Sequence, residues 1–230
     1  MRIFLAGATG AVGRRLVPLL LRADCTVIGT TRSEQKAETL RATGVEALVI
    51  DMMDADAVMR AMDATRPEIV IHQLTDLPHV FDPALMAEAR SRNARLREVA
   101  TPILMQAAQR AGVRRVIVQS ICFAYTARVT PYRENDPIDS PAVQVMERAA
   151  LETPGVEGIV LRYGRLWGPG TWTDSPRDTS PLHVDAAAHA AYLAVSRGSP
   201  GIYNIAEPDG TVSTAKAEAE LGFDPSFRLD

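Results

Sequence analysis

The sequence predicts an α/β protein in which a parallel sheet is covered by helices on both faces. The first observation is that short apolar runs alternate with stretches of helical apolar spacing over residues 2–164. Parallel strands need long crossover connections, and helices in those connections cover the sheet. The second observation is a glycine-rich turn, GATGAVG, between the first apolar run and the first helical pattern.

The individual elements carry their own local signals. The short apolar runs predict strands at 2–7, 25–30, 45–50, 68–74, 114–120 and 157–164. The helical patterns lie at 11–23, 33–44, 54–67, roughly 83–111 and 140–152. Gly44 ends the second helix, and the third has Asp54 as its N-cap and Pro67 beyond its end. Ser140 and Pro141 are suitable for the N-cap and first position of the fifth.

Composition limits the classes of protein and partner that we expect. The chain has 230 residues, 47% of them hydrophobic, which is enough for one well-packed core. A net charge of −3 without a basic run argues against nucleic acid or an anionic membrane as a partner. No apolar run approaches the ~20 residues that a membrane span requires. The two cysteines favour a reduced, cytoplasmic protein, and the spacing of the four histidines predicts no metal site.

The glycine-rich turn predicts a dinucleotide site. Its glycines permit a tight turn and close approach of the backbone to a pyrophosphate, which the N–H groups of the following helix then bind. We therefore expect a Rossmann-type, doubly wound parallel sheet. The predicted contacts in this turn are Gly7, Thr9, Gly10, Ala11, Val12 and Gly13.

The residues after the second strand indicate which cofactor is bound. Folds of this kind place an acid there for the ribose hydroxyls, or a basic residue for a 2′-phosphate. Here Thr31, Arg32 and Ser33 follow the strand without an acid, so NADP is preferred over NAD unless Arg32 is merely solvated. Asp51, followed by Met52, ends the third strand; its carboxylate either accepts from the adenine amino group or belongs to the next helix start.

Several motifs together resemble one superfamily. GATGAVG, VIDMMD, GIVLRYGRLWGPG, HVDAAAHAAYLAV, GIYNIAEPDG and AELGFDPSF occur in this order along nearly the whole chain. They are similar to motifs of the short-chain dehydrogenase/reductase superfamily, in its extended and atypical NAD-dependent epimerase/dehydratase branch. Trp167 replaces the usual Tyr of one motif, and Ala186 replaces an Asp of another.

The resemblance implies a modified catalytic site. In active relatives the helix at 140–152 carries a Tyr-xxx-Lys pair, in which Lys lowers the pKa of Tyr and holds the nicotinamide ribose. Counting back from Glu152 places Gln144 and Arg148 at these positions. Gln144 cannot act as a general acid, whereas Arg148 can still donate to a ribose hydroxyl.

The remaining site residues follow the predicted strand ends. Gln73, Leu74 and Thr75 follow the fourth strand, where the chain passes the nicotinamide ribose in this fold, and Ser120 and Tyr163 are further expected cofactor contacts.

The candidates for catalysis and for substrate binding are fewer. Tyr125 is the candidate acid, with Ser120 beside it, although a Tyr near this place is usually structural in the family. His72 is expected to be packed, and His79 to be near substrate.

The resemblance also implies the domain organisation. Residues 1–165 correspond to the dinucleotide-binding domain, and 166–230 to a reduced C-terminal substrate lobe that interleaves with it in one compact unit. The short lobe argues against a large sugar-nucleotide substrate. The helices at 83–111 and 140–152 correspond to the pair that forms dimer interfaces in many relatives, so we expect a homodimer.

Two classes of function remain open. The first is an NAD(P)-dependent oxidoreductase or epimerase that acts on a small molecule with a non-standard active site. The second is a catalytically inactive NADP(H)-binding sensor or interaction protein.

Overall fold

The computed structural model describes residues 1–78, 80–126, 129–176 and 179–229. Its main sheet has seven parallel strands in the order β3-β2-β1-β4-β5-β6-β9. These strands are β1 (Arg2–Ala6), β2 (Thr26–Thr31), β3 (Glu46–Val49), β4 (Ile69–His72), β5 (Arg115–Ile121), β6 (Glu157–Tyr163) and β9 (Gly201–Ile205). The helices are α1 (Ala11–Arg22), α2 (Glu34–Arg41), α3 (Ala55–Thr65), α4 (Pro83–Arg95), α5 (Thr101–Arg110), α6 (Pro141–Glu152), α7 (Val184–Ala194) and α8 (Ala215–Leu221). The predicted doubly wound fold is confirmed.

Strand order reverses beside β1, and this positions the candidate site. The chain runs from β1 outward to β2 and β3, and then crosses back so that β4 pairs with the other side of β1. Ligands of open α/β sheets bind outside the carboxyl ends of the strands at such a switch point.

Alternating side chains of the central strands build two cores. Ile3 and Leu5 of β1 point toward α1 and α7, and Phe4 and Ala6 point toward α3, α5 and α6. All four side chains are fully buried. Both faces of the sheet are therefore covered, as the near-continuous apolar strand sequences predict.

The long helical pattern at 83–111 contains an irregular turn. Helix α4 passes through a π-helical turn, Leu96–Ala100, into α5. Pro102 lies just beyond this turn and has no N–H to donate to a carbonyl in the preceding turn. The wider hydrogen bonding before it lets the helix continue with its apolar face on the sheet.

The structure also contains a small second sheet, which the sequence pattern does not predict. It consists of β7 (Arg165–Trp167) and β8 (Pro181–His183), which pair in parallel. The later strand β9 returns to the main sheet beside β6. The predicted domain boundary at residue 165 falls inside β7, and the division stays a prediction. Within the described ranges, no helix is long and apolar enough to cross a membrane.

Candidate dinucleotide site

Two glycines, one after β1 and one in the first turn of α1, leave no room for a side chain. A Cβ on Gly13 would lie 2.3 Å from the carbonyl oxygen of Gly7, and a Cβ on Gly7 would lie 2.6 Å from that of Gln73. Gly7 also has φ +89°, which side chains rarely adopt. The backbone of this loop is therefore packed closely against the end of β4.

The N-terminus of α1 is available to an anion. Gly10 is its N-cap, no side chain caps it, and its first turn contains no acid. The first N–H groups of a helix have no partner inside the helix, and the helix dipole makes this end positive. Together with the glycine cradle, these groups fit the pyrophosphate of a dinucleotide.

The end of β2 presents Arg32 on a fixed backbone. The Oγ1 of buried Thr31 accepts from the N–H of Ser33 at 3.2 Å, and the Oγ of Ser33 caps α2 by accepting from Lys36 N at 3.4 Å. The Arg32 side chain is 65% exposed, and its Nη2 lies 3.3 Å from Oδ1 of Asp76. The structure thus places an exposed cation where a 2′-phosphate is expected.

The end of β3 carries the two other predicted adenosine contacts. Asp51 is exposed, and its Oδ1 accepts from Met53 N at 3.0 Å in a local turn. The side chain of Met52 is buried in the core beside α3. Asp51 therefore has an exposed carboxylate, whereas Met52 has almost no exposed surface.

Buried polar groups occupy the end of β4. His72 lies between Leu74 N, which donates to Nδ1 at 3.2 Å, and Thr101 Oγ1, 3.0 Å from Nε2. Burial lowers the pKa of His72 to about 4, so the ring is neutral and packed, as expected from the sequence. Gln73 is 4% exposed and donates to the hydroxyl of Tyr163 at 3.3 Å.

The amide oxygen of Gln73 is one of three buried side-chain atoms without a hydrogen-bond partner in the described residues, and the other two are Ser180 Oγ and His189 Nδ1. A buried acceptor without a partner is costly, and it is consistent with a ligand or water that completes the site. Leu74 and Thr75 continue from it toward solvent.

A buried polar network lies at the ends of β5 and β6. Arg162 donates to both carboxylate oxygens of Glu147, at 2.9 Å from Nε and 2.7 Å from Nη2, and Ser120 donates to the same carboxylate at 2.5 Å. The Nη1 of Arg162 also donates to the Tyr125 hydroxyl at 2.8 Å, and that hydroxyl donates to Asn204 Oδ1 at 2.6 Å. The two predicted catalytic residues, Ser120 and Tyr125, thus belong to one network.

The charges in this network are strongly coupled. Burial alone would lower the pKa of Arg162, but the hydrogen bonds and charge of Glu147 outweigh it and raise that pKa. Burial raises the pKa of the Tyr125 phenol, and Arg162 and Asn204 offset part of this effect. Arg162 is therefore a permanent cation beside a neutral phenol.

Comparison with known proteins identifies the family. Residues 7–193 match the family described as NAD(P)H-binding. The chain belongs to this family. A 3-diazoavenalumate denitrifying reductase from a Streptomyces species is 34% identical over 242 residues, which cover 91% of this chain and 77% of that protein.

More distant relatives support the same assignment. A 3 beta-hydroxysteroid dehydrogenase/Delta 5→4-isomerase of Mycobacterium tuberculosis is 29% identical over 187 residues. The match covers 75% of this chain and 49% of that relative, so the chain spans about half its length. UDP-glucose 4-epimerase from Thermotoga maritima has the same fold, with TM-score 0.81 and 20% identity over 100% of this chain and 95% of the epimerase.

These matches confirm the resemblance to epimerase/dehydratase-type short-chain dehydrogenases/reductases. The chain is an NAD(P)H-binding protein with the fold of the epimerase. The whole sequence contains two lysines, Lys36 and Lys216, and neither follows a tyrosine by four positions. This family member therefore has no Tyr-xxx-Lys pair.

The structure corrects the register inferred for α6. The side chains on its buried face are Ala142, Val143, Met146, Glu147 and Ala150. Arg148 is exposed and lines a groove with α5, and Gln144 donates to Ile138 O at 2.9 Å. The structure therefore does not bring Arg148 to the glycine loop. Glu152 is exposed, so counting back from it does not identify the buried face of the helix. The sequence feature that points to Glu147 is an acidic residue within the apolar stripe of the helix.

Two further predicted contacts are less accessible than expected. Tyr163 is 1% exposed inside the core, and its hydroxyl donates to Ala187 O at 3.2 Å. Ser120 has no exposed surface, because its hydroxyl faces Glu147. Strand-end position suggested both residues, but their side chains point into the protein, so neither presents a surface to substrate.

Two tryptophans of the C-terminal part make indole hydrogen bonds. Trp172 donates to Pro78 O at 2.8 Å, and Trp167 donates to Glu207 at 3.0 Å. His79, expected near substrate, lies outside the described residues.

Cys122 is buried, which raises its thiol pKa to about 11, and so it is a poor nucleophile. The described ranges contain no group of three or more His, Cys, Asp and Glu side chains that could hold a metal ion.

Proposed function

We propose that the protein is an NADP(H)-dependent reductase of a small organic molecule. The observation that carries this proposal is the uncapped N-terminus of α1 beside two glycines, Gly7 and Gly13, at which no side chain fits. Arg32 at the end of β2 supports the choice of NADP(H), because guanidinium binds phosphate bidentately. When bound, the nicotinamide would supply the hydride, and the residues of this chain would orient it and exclude water.

A binding experiment tests the cofactor preference. Arg32→Ala should weaken NADPH binding by about 1–3 kcal/mol, the range for a charge-assisted hydrogen bond, and leave NADH nearly unchanged. The matched control is Arg41→Ala, because Arg41 pairs with Glu34 on the surface of α2. Titration calorimetry that shows equal losses for both cofactors would refute the selectivity.

Tyr125 is the proposed proton donor where the acceptor requires a proton. Its side chain is only half-buried, and Arg162 Nη1 at 2.8 Å can stabilise the phenolate that remains after proton transfer. Tyr125→Phe should lower the turnover rate about 10²–10⁴-fold with a small change in KM. Thermal unfolding of the same variant separates a lost proton donor from a disturbed network.

The 34% identical Streptomyces relative favours a second candidate substrate class. Its name describes a reductase of a diazo compound, and hydride addition to a diazonium cation gives a neutral diazene. That diazene releases N₂ and leaves a C–H bond, so the protein need supply no external proton. Under this alternative, the purified protein reduces an aryl diazonium salt with NADPH, and Tyr125→Phe retains that activity.

We also propose a homodimer built on α5 and α6. A groove of about 400 Å³ runs between these helices, lined by Pro102, Met105, Val145, Arg148 and Ala149 among others. Light scattering should give twice the chain mass of 24.9 kDa at micromolar concentration. Val145→Asp should produce a monomer, whereas Val49→Asp at the exposed β3 edge should not.

We place the protein in the reducing cytoplasm. Cys25 and Cys122 are both free and buried, which supports this location because disulfide-stabilised proteins belong to oxidising compartments. The partners that we expect for the protein are a small-molecule substrate and a second copy of the chain.

A further inference from the structure

Asp76, in the segment after β4, interacts with two arginines. Its Oδ1 lies 3.3 Å from Arg32 Nη2, and its Oδ2 lies 3.5 Å from Arg92 Nε. The side chain of Asp76 is 25% exposed. Its backbone N–H donates at 3.0 Å to the Oδ1 of Asn93, a buried residue of α4. The carboxylate is therefore fixed in place from the β4 side.

The Arg32–Asp76 pair spans the candidate cofactor cleft. Arg32 follows β2 and Asp76 follows β4, and β1 lies between these two strands. Neighbouring strands are ~4.8 Å apart, so the pair bridges about 10 Å across the end of β1. The glycine loop begins at that end of β1. The cation assigned to the 2′-phosphate is thus directed across the cleft toward a carboxylate.

We propose that Asp76 is a specificity-determining residue that competes with the 2′-phosphate of the cofactor for Arg32. The inference rests on the proposed function, in which Arg32 binds that phosphate. On cofactor binding, Arg32 exchanges the carboxylate of Asp76 for the phosphate. Asp76 therefore weakens the preference for NADP(H) over NAD(H) that Arg32 alone would give.

The surroundings of Arg32 keep the free-energy cost of exchanging Asp76 for the phosphate small. The side chain of Arg32 is 65% exposed, and ion pairs this exposed contribute little to stability. Arg92, which also pairs with Glu88 at 2.7 Å, remains beside Asp76 after Arg32 has moved. The bond from Asp76 N to Asn93 keeps the carboxylate from following Arg32. The phosphate is the stronger partner because it is more highly charged and accepts both N–H groups of the fork.

The test measures binding of the adenosine half alone, without turnover. Titration calorimetry compares 2′,5′-ADP with 5′-AMP on wild type, Asp76→Asn and Arg32→Ala, each as the full chain. Asp76→Asn should tighten 2′,5′-ADP about two- to fivefold, the range for removing an exposed ion pair, and change 5′-AMP less than twofold. Asp63→Asn, which removes a surface partner of Arg110, controls for net charge and should change neither ligand.

The double variant distinguishes competition from simple repulsion. In the Arg32→Ala background, Asp76→Asn should no longer tighten 2′,5′-ADP, because the exchanged partner is gone. A gain that persists without Arg32 would overturn the exchange. Asp76→Ser repeats the test with a shorter side chain, and thermal unfolding verifies that both variants fold.

The two proposals fail in different ways. A wild-type protein that prefers 2′,5′-ADP, with no gain in Asp76→Asn, overturns the role of Asp76 and leaves the cofactor assignment intact. Equal binding of 2′,5′-ADP and 5′-AMP by wild type overturns the NADP(H) preference, and the competition with it.

Discussion

Replacing Glu147 with Gln should destabilise the protein more than other conservative changes in α6. The side chains of Glu147 and Arg162 are 6% and 4% exposed and form a two-pronged ion pair. The amide of Gln has nearly the same shape as the carboxylate of Glu147, but it is uncharged. Its NH₂ group would place a donor where a carboxylate oxygen now accepts from Arg162. Removing one partner of a buried pair typically costs about 3–5 kcal/mol, because the other charge stays buried without compensation.

That loss is a large fraction of the stability of an ordinary domain, which is about 5–15 kcal/mol. For a chain of this size it corresponds to a fall of about 6–20 °C in Tm. Urea unfolding at neutral pH, followed by circular dichroism, measures the change. Glu152→Gln is the control, because Glu152 is exposed on the same helix.

A double variant tests the electrostatic reason. Replacing both Glu147 and Arg162 with Met should cost less than Glu147→Gln alone, because no buried charge is left unpaired. A decrease of less than about 1 kcal/mol in the free energy of unfolding of Glu147→Gln is typical of an exposed ion pair, and it would refute a buried Glu147–Arg162 pair.

Two further predictions concern the ends of β4 and β1. Burial lowers the pKa of His72 from 6.5 to about 4, so as the pH falls the unfolded chain binds a proton at this residue before the folded protein does. The free energy of unfolding is therefore unaffected by this residue above pH 6.5 and decreases as the pH falls from 6.5 toward 4. Between pH 7 and 5 wild type should lose about 2 kcal/mol more than His72→Gln, measured by urea unfolding; parallel pH profiles would contradict this. Gly13→Ala should abolish NADPH binding in calorimetry, because its Cβ would lie 2.3 Å from the Gly7 carbonyl oxygen; unchanged affinity would refute the closed turn.

The helix at 140–152 shows how far local patterns lead. Ser140 and Pro141 correctly predict where it begins. Ser140 is the N-cap residue but its side chain makes no capping hydrogen bond, and Pro141 suits the first position because a missing N–H there needs no partner. Its catalytic register was inferred from spacing to Glu152, and the structure instead buries Glu147. Glu147, and not Glu152, is buried because it pairs with Arg162. Arg162 lies in β6 and is brought beside the helix only by the tertiary structure.

The sequence by itself determined the alternation of strands and helices and the glycine turn of the nucleotide site. These features follow from periodicity, capping and backbone freedom, which act over a few residues. Tertiary structure alone decided that Ser120 and Tyr163 point inward, and that Arg32 reaches Asp76 across β1. Strand-end residues look alike in sequence. Their side chains are directed by the register between strands and by charges that folding brings together, and both depend on residues far apart in the chain.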